Sequence, residues 1–413
     1  MSNSSGQGVV TFEQARRIVE QHAAQVQTTR TEIMSLLEAQ GRVLGEDIRA
    51  DRDFPPFRRA ARDGYAVRSG EVASVPVTLN VVAEIRAGAK PEDVPAQITT
   101  GQAAGIMTGA PTPEGADSIV MIEYTVRHGD RVEIARTVHP GENIVPRASE
   151  AKQGDLLLAK GTRINETAVA VIASVGKSKV QVYARPRVAV LSTGDEVIPI
   201  DEAPGPTQIR NSNSYSIASQ IQTAQAEPVL LPIAPDEPGR LCELVKEGLK
   251  ADLFLLAGGV SMGKYDLVEQ VLAELGAEFF FTGAQIQPGK PIVFGRISSS
   301  APKYFFGLPG NPVSTMVTFD LFVRPLLDAL CGMKPRPLAF LHVRLKADIR
   351  TKTGLTRFLP GILSGEFENT EVELARWGGS GDVAATARAD CYVVIPPDRE
   401  HIPAGEFVAI LVR

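Results

Sequence analysis

The spacing of apolar and polar positions changes character several times along the chain, and the changes mark out its parts. Thr11-x-x-Gln14, ahead of Ala15, Ile18 and Val19, has the reciprocal side-chain pattern that starts a helix. Ile33 to Ala39 reads as a second helical segment stopped by Gly41. From about 72 to 145 the text turns β-like: Val77 to Val82 and Ser118 to Ile122 are β-branched runs punctuated by Gly and Pro. Glu166 to Val175 is again helical and ends at Gly176. Beyond 183, short apolar runs at Arg187–Leu191, Val229–Ile233, Leu253–Ala257 and from Tyr304 alternate with helical stretches. Those stretches carry Ile217, Ala218 and Ile221, then Leu241, Leu244, Val245 and Leu249, then Val268, Val271, Leu272 and Leu275, and last the segment from about 312 to 331. Continuous apolar runs of strand length are buried on both faces, and this alternation predicts a doubly wound, mostly parallel sheet. After Pro335 the pattern is β-like once more, at Leu341–Leu345, Arg357–Leu359, Tyr392–Ile395 and Phe407–Val412.

The expected architecture is a multidomain α/β chain. A mixed scaffold domain (8–53 and 146–182) is interrupted by a β-rich inserted domain (54–145). An α/β domain for an anionic ligand (183–332) and a small C-terminal β domain (333–413) follow.

Composition narrows the function classes. The 413 residues are 44 % apolar and 22 % charged, ordinary for a globular chain with several cores. A net charge of -5 without a basic block argues against a nucleic-acid partner and against electrostatic membrane docking. Residues 1–8 carry no basic stretch followed by an apolar one, and no run of about 18 apolar residues occurs. Cys242, Cys331 and Cys391 are odd in number and far apart, which fits three buried thiols in a reducing compartment. A cytoplasmic location is expected.

The chemistry gathers after the strands of the α/β domain. Leu253–Ala257 runs into Gly258 and Gly259, then Ser261, Gly263 and Asp266, then a helix. Strand, glycine loop and helix together offer backbone N–H groups to an anion at the strand's carboxyl end. Asp195, Glu196, Asp236 and Asp266 each follow a predicted strand, so one ligand crevice would collect them. Carboxylates beside a phosphate cradle suit Mg²⁺, which takes one or two of them plus phosphate oxygens and water. Any one carboxylate taken singly is better explained as a helix cap or a solvated side chain, and it is the co-location of four that favours a site. Pro309, Gly310 and Pro312 shape the turn into the last helix, whose first turn holds Ser314, and Lys290 is fixed between Gly289 and Pro291. Gly258 to Lys264 has the spacing of a Walker A loop, but Tyr265 stands where that loop needs a hydroxyl for magnesium. The five histidines are scattered and support no imidazole chemistry. From the residues alone, this is an α/β enzyme acting on a phosphorylated or otherwise oxyanionic ligand with Mg²⁺.

Six motifs then carry a resemblance along most of the chain. They are Pro55-Pro-Phe57 with Asp63-Gly-Tyr-Ala66, Ile106-Met-Thr-Gly-Ala-Pro111 with Pro113-Glu-Gly-Ala-Asp117, and Ser192-Thr-Gly-Asp-Glu196. The others are Ala257-Gly-Gly-Val-Ser-Met-Gly263 with Asp266, Pro288-Gly-Lys-Pro291, and Gly307-Leu-Pro-Gly-Asn-Pro-Val-Ser314. In that order they resemble the molybdopterin molybdenumtransferase family, bacterial MoeA and the E domain of gephyrin. The resemblance implies a homodimeric transferase that inserts molybdate into adenylylated molybdopterin with Mg²⁺, releasing AMP. It also implies a molybdopterin adenylyltransferase and molybdoenzyme apoproteins as partners. Carried over residue by residue, it gives Glu196, Asp236 and Asp266 to the metal and the pyrophosphate. Lys290, Ser314 and Ser380, with Arg357, would hold molybdate, while Gly258, Gly259, Ser261, Pro309 and Gly310 would line the substrate site. Asp63 and Thr108, from the insertion, would complete it across the dimer interface.

The chain departs from the family pattern at Arg58 to Arg62, at Ala148-Ser-Glu150 where Gly-Glu-Asp is common, and at Gln287 where a basic residue is frequent. It departs again at Ala384-Ala385 in place of a serine pair. Two other readings stay open at this point. A molybdopterin adenylyltransferase would not need the insertion or the C-terminal β domain. A clustering protein would be expected to carry a long linker or an appended module, and none is apparent, whereas a mutated, non-catalytic scaffold paralogue stays open because of the replaced positions.

Overall fold

The computed structural model describes residues 7–259, 267–298, 302–334 and 336–412. Its centre is a seven-stranded sheet in the order Gln7–Val10, Ala277–Ala284, Val293–Ile297, Lys303–Leu308, Leu253–Ala257, Arg187–Ser192, Glu227–Leu230. The last four run parallel, and Val293–Ile297 is antiparallel to both neighbours. Every residue of Leu253–Ala257 is buried, as its unbroken apolar text requires of a central strand covered on both faces. One covering layer includes Ile217, Ile221, Val313, Val317 and Phe322. The other includes Leu241, Leu244, Val245, Val268, Val271 and Leu272. Helices therefore lie on both faces, as the alternation predicts, and a fully buried Leu or Phe in these layers contributes about 1.5–3 kcal/mol.

Thr11 caps the helix Phe12–Ala23, exchanging hydrogen bonds with Gln14 as a reciprocal box. Val10, Ala15, Val19 and Ala23 belong to the core of the seven-stranded sheet. The first strand and helix thus pack with the α/β unit, although the sequence boundaries group them with the scaffold.

The segment Ile33–Ala39 is not a helix. Thr31–Ser35 is a strand antiparallel to Lys179–Tyr183, and turns follow it. Ile33 and Leu37, four apart like two residues of one helical face, are 72 % and 79 % exposed. No core lies under that stripe, and strand pairing with Lys179–Tyr183 wins. The strand expected at Val229–Ile233 is observed at Glu227–Leu230, ahead of Pro232.

The β-rich insertion is a six-stranded sheet in the order Ser118–Met121, Gly64–Val67, Gln102–Ile106, Val77–Ile85, Arg131–Ile134, Thr125–His128. Its entry and exit run side by side, with Arg59–Ala60 paired to Ile144–Val145 and Phe54 bridged to Ala151. Two departures from the family pattern meet here: Arg59 and Glu150 form an ion pair at 3.0 Å. Ala148, where a glycine is usual, has φ +60°, a conformation that costs a side-chain-bearing residue about 1–2 kcal/mol.

The C-terminal strands Thr356–Ser364, Glu371–Leu374, Leu341–Leu345, Phe407–Val412 and Cys391–Ile395 pair in that order, and the last pairs back onto the first. Ile286–Gln287 adds to this sheet beside Thr356–Arg357, stitching it to the α/β domain. Cys331 and Cys391 are buried, and burial pushes their thiols up to about 12 and about 11; Cys242 is half-buried. Among the described residues no helix is long and apolar enough to cross a membrane.

Candidate active site

Two cavities at the carboxyl ends of the parallel strands share Asn311 in their walls. The first, about 350 Å³, is walled by Thr193, Glu196, Asp236, Gly258, Gly259 and Gly310 among others. Its floor is fixed by a buried polar knot in which Ser192 Oγ contacts Asn211 Oδ1 at 2.9 Å and Ser214 Oγ at 2.8 Å. Asn211 also accepts from the Ser214 N–H at 3.1 Å and so caps the helix Ser212–Thr223. Asn213 Nδ2 donates to the Gly310 carbonyl at 2.7 Å, tying that helix to the turn before Pro312. The Thr315 hydroxyl donates to the Pro309 carbonyl and holds the same turn from the other side.

Gly259 has φ +66°, and a Cβ there would lie 2.6 Å from Thr193 Oγ1. A side chain at 259 would fill the approach that the glycine leaves open. Thr193 is 4 % exposed, and its Oγ1 has no hydrogen-bond partner among the described residues. A buried hydroxyl in that state marks a place where a polar ligand atom fits. Asp236 forms no ion pair among the described residues, and its N–H donates to Asp195 Oδ1 at 3.1 Å. Burial, then the charges of Asp195 and Glu196, raise the Asp236 carboxyl above its ordinary value. Mutual repulsion of this kind is relieved by a divalent cation, so Glu196 and Asp236 fit the metal assignment. Among the described residues no three His, Cys, Asp or Glu side chains form a complete metal cluster. Asp266 and Ser261, both assigned to this site from sequence, lie outside the described residues.

The second cavity, about 550 Å³, is lined by Lys290, Ser314, Arg357 and Ser380 among others. Gly289, at φ +108°, lets the loop press against the last helix, since a Cβ there would lie 2.4 Å from Thr318 Cγ2. Ser380 is held by its carbonyl, which accepts the Val313 N–H at 3.0 Å. Asp382, taking the Gly378 and Ala385 N–H groups, braces the rest of that loop and is held below its ordinary value by them. Ala385 is fully buried in this turn. Arg357 is 6 % exposed, and burial lowers its pKa from the usual arginine value. Its Nε donates to Gln287 Oε1 at 2.9 Å, a consequence of the register that sets Gln287 opposite Arg357. Gln287 therefore orients the guanidinium.

Asp63 and Thr108 meet each other, and line neither cavity. Gly64 pairs with Ile106, so the residues flanking these strands come together. The Thr108 N–H and hydroxyl donate to Asp63 Oδ1 at 2.6 and 2.7 Å, and these two bonds hold the Asp63 carboxyl below its ordinary value. Sequence reasoning did not single out Thr193, Asn213, Asn311 or Lys352. Thr193 and Asn311 lie inside quoted motifs, whereas Lys352 is a polar loop residue with no local signal.

The chain matches three families in succession. Residues 10–176 match the family described as the MoeA N-terminal region (domain I and II), and residues 189–329 match a Probable molybdopterin binding domain. Residues 342–412 match the MoeA C-terminal region (domain IV). A molybdopterin molybdenumtransferase of Nostoc sp. is 37 % identical over 92 % of this chain and 88 % of its own length. One from Bacillus subtilis is 32 % identical over 92 % of this chain and 89 % of its own. Among solved structures, a molybdopterin biosynthesis MoeA protein from Pyrococcus horikoshii superposes with a TM-score of 0.78 at 29 % identity, covering 98 % of this chain and all of that one. The chain belongs to the molybdopterin molybdenumtransferase family, transferases of molybdenum cofactor biosynthesis.

Proposed function

We propose that the two cavities hold the two ends of one reaction: adenylylated molybdopterin in the first and molybdate in the second. Molybdate enters the pterin and AMP leaves. The observation that carries this reading is Asn311, common to both walls, which sets an acidic, hydroxyl-lined cavity directly beside a cationic one. Glu196 and Asp236, with Asp266, are the side chains that would hold Mg²⁺, which when bound neutralises the pyrophosphate. The Gly258 and Gly259 approach and the Thr193 hydroxyl suit the nucleotide end. Lys290, Arg357, Ser314 and Ser380 replace the hydration of an oxyanion with charge and hydroxyl donors. The protein's task is positioning and electrostatics.

Asp63 and Thr108 are proposed to serve the site of the other subunit in a homodimer, since they stand apart from both cavities of their own chain. Recipient molybdoenzyme apoproteins, a supplying molybdopterin adenylyltransferase and a cytoplasmic setting complete the reading. The test is molybdate-dependent release of AMP from adenylylated molybdopterin by wild type, Asp236→Asn and Lys290→Ala. Both variants are expected to lose turnover, and unchanged turnover in both rejects the assignments. Mixing Asp63→Ala with Lys290→Ala and re-forming dimers at random is expected to restore roughly a quarter of wild-type activity if the site is shared across a two-fold axis. No recovery places Asp63 in its own chain's site, and an Asp63→Ala variant that is active by itself places Asp63 outside the reaction.

A further inference from the structure

The oxyanion cavity has a cation that neither the motifs nor the roles given above include. Lys352 lines it together with Lys290 and Arg357, and among the described residues no Asp or Glu side chain lines it. Lys352 forms no ion pair among the described residues. Its turn is pinned at both ends: the Thr351 N–H donates to the Glu400 carbonyl at 2.9 Å, and the Gly354 N–H to the Pro397 carbonyl at 2.6 Å. Position 287, where the family pattern favours a basic residue, is occupied by Gln287, whose Oε1 is taken by Arg357 Nε. Arg357 Nη1 donates to the Leu355 carbonyl at 3.2 Å, which leaves Nη2 without a partner among the described residues. Two of this guanidinium's donor nitrogens are thus spent on orientation. A lysine at 287 would remove the acceptor and set a like charge beside Arg357.

We propose that Lys352 is a direct ligand of the tetrahedral oxyanion dianion, supplying from the C-terminal β domain the cation that position 287 does not supply. This rests on the reading of the second cavity as the oxyanion site. Substrate binding would then span Lys290 on the α/β domain and Lys352 on the C-terminal β domain, so the anion itself would bridge the two.

Trp377, the only tryptophan of the chain, lines the same cavity and gives a readout that does not depend on turnover. Its emission is titrated with sodium molybdate at low ionic strength, with equilibrium dialysis of molybdate giving the same constant independently. Lys352 is exposed, so Lys352→Gln folds, which an unchanged melting temperature verifies. Lys352→Gln is expected to raise the dissociation constant about three- to tenfold, and Lys352→Arg to stay within about twofold. Added sodium chloride should weaken wild type more steeply than Lys352→Gln, because one fewer charge is screened. If Lys290→Gln loses affinity while Lys352→Gln binds as wild type, Lys352 is no ligand and the proposal falls. If neither substitution changes molybdate binding, the oxyanion reading of the cavity falls with it.

Discussion

The unpartnered hydroxyl of Thr193 gives the account its sharpest internal test, because stability and substrate binding should move in opposite directions. Thr193 follows the strand Arg187–Ser192 and is 4 % exposed, and Oγ1 lacks a partner among the described residues. Leaving a buried hydroxyl unpaired costs about 1–3 kcal/mol. Thr193→Val keeps the shape and removes that cost, so the ligand-free protein should gain about 1 kcal/mol at the low end of this range. For a domain of this size that raises the melting midpoint by about 2–4 °C. When substrate occupies the cavity, the hydroxyl gains a partner that valine cannot offer. The Thr193→Val variant should therefore bind adenylylated molybdopterin about 5–30-fold more weakly, equivalent to about 1–2 kcal/mol. Thermal unfolding with and without substrate, together with a direct binding titration, reads both effects on one preparation. A ligand-free variant that melts below wild type, or binds substrate with wild-type affinity, refutes the reasoning.

Two further outcomes follow from single residues. Ala148→Gly should raise stability by about 1 kcal/mol, since Ala148 sits at φ +60° where glycine carries no steric penalty, and urea unfolding of the two variants measures it. Asp236 is raised by burial and by Asp195 and Glu196, so the folded state holds its proton more tightly than the unfolded chain does. Its contribution to stability is present at low pH and is lost as pH rises through the raised value; Mg²⁺ held there as proposed would offset that loss. Apparent Mg²⁺ affinity, followed by the metal-dependent shift in melting temperature, should fall as pH is lowered through that value, and Asp236→Asn should flatten the dependence.

What was legible in the sequence follows from how local each signal is. Leu253–Ala257 reads correctly because a central strand buried on both faces has no polar positions to confuse it. The capping box at Thr11 reads correctly because all its partners lie within four residues. Ile33 and Leu37 misled because spacing reports a shared face but says nothing of what, if anything, covers it. Glu196 and Lys290 lie inside motifs and Asp236 follows a predicted strand, yet their division between two cavities depends on the turn at Pro309–Pro312 and on the pairing of Ile286–Gln287 with Thr356–Arg357. Lys352 is brought to the site by a β domain folded from distant strands, so no window of sequence around it carries the information. The compensation of Arg59 by Glu150 is likewise a contact between residues 91 positions apart.

The cavity of Lys290, Ser314, Arg357 and Ser380 is proposed to take the oxyanion beside the nucleotide end of the site. Anomalous diffraction from crystals soaked in tungstate, an isosteric heavy-atom stand-in for molybdate, addresses it most directly. A peak inside that cavity, lost in Lys290→Ala crystals, is expected. A peak beside Glu196 and Asp236, or tungstate ordered only elsewhere on the chain, contradicts it.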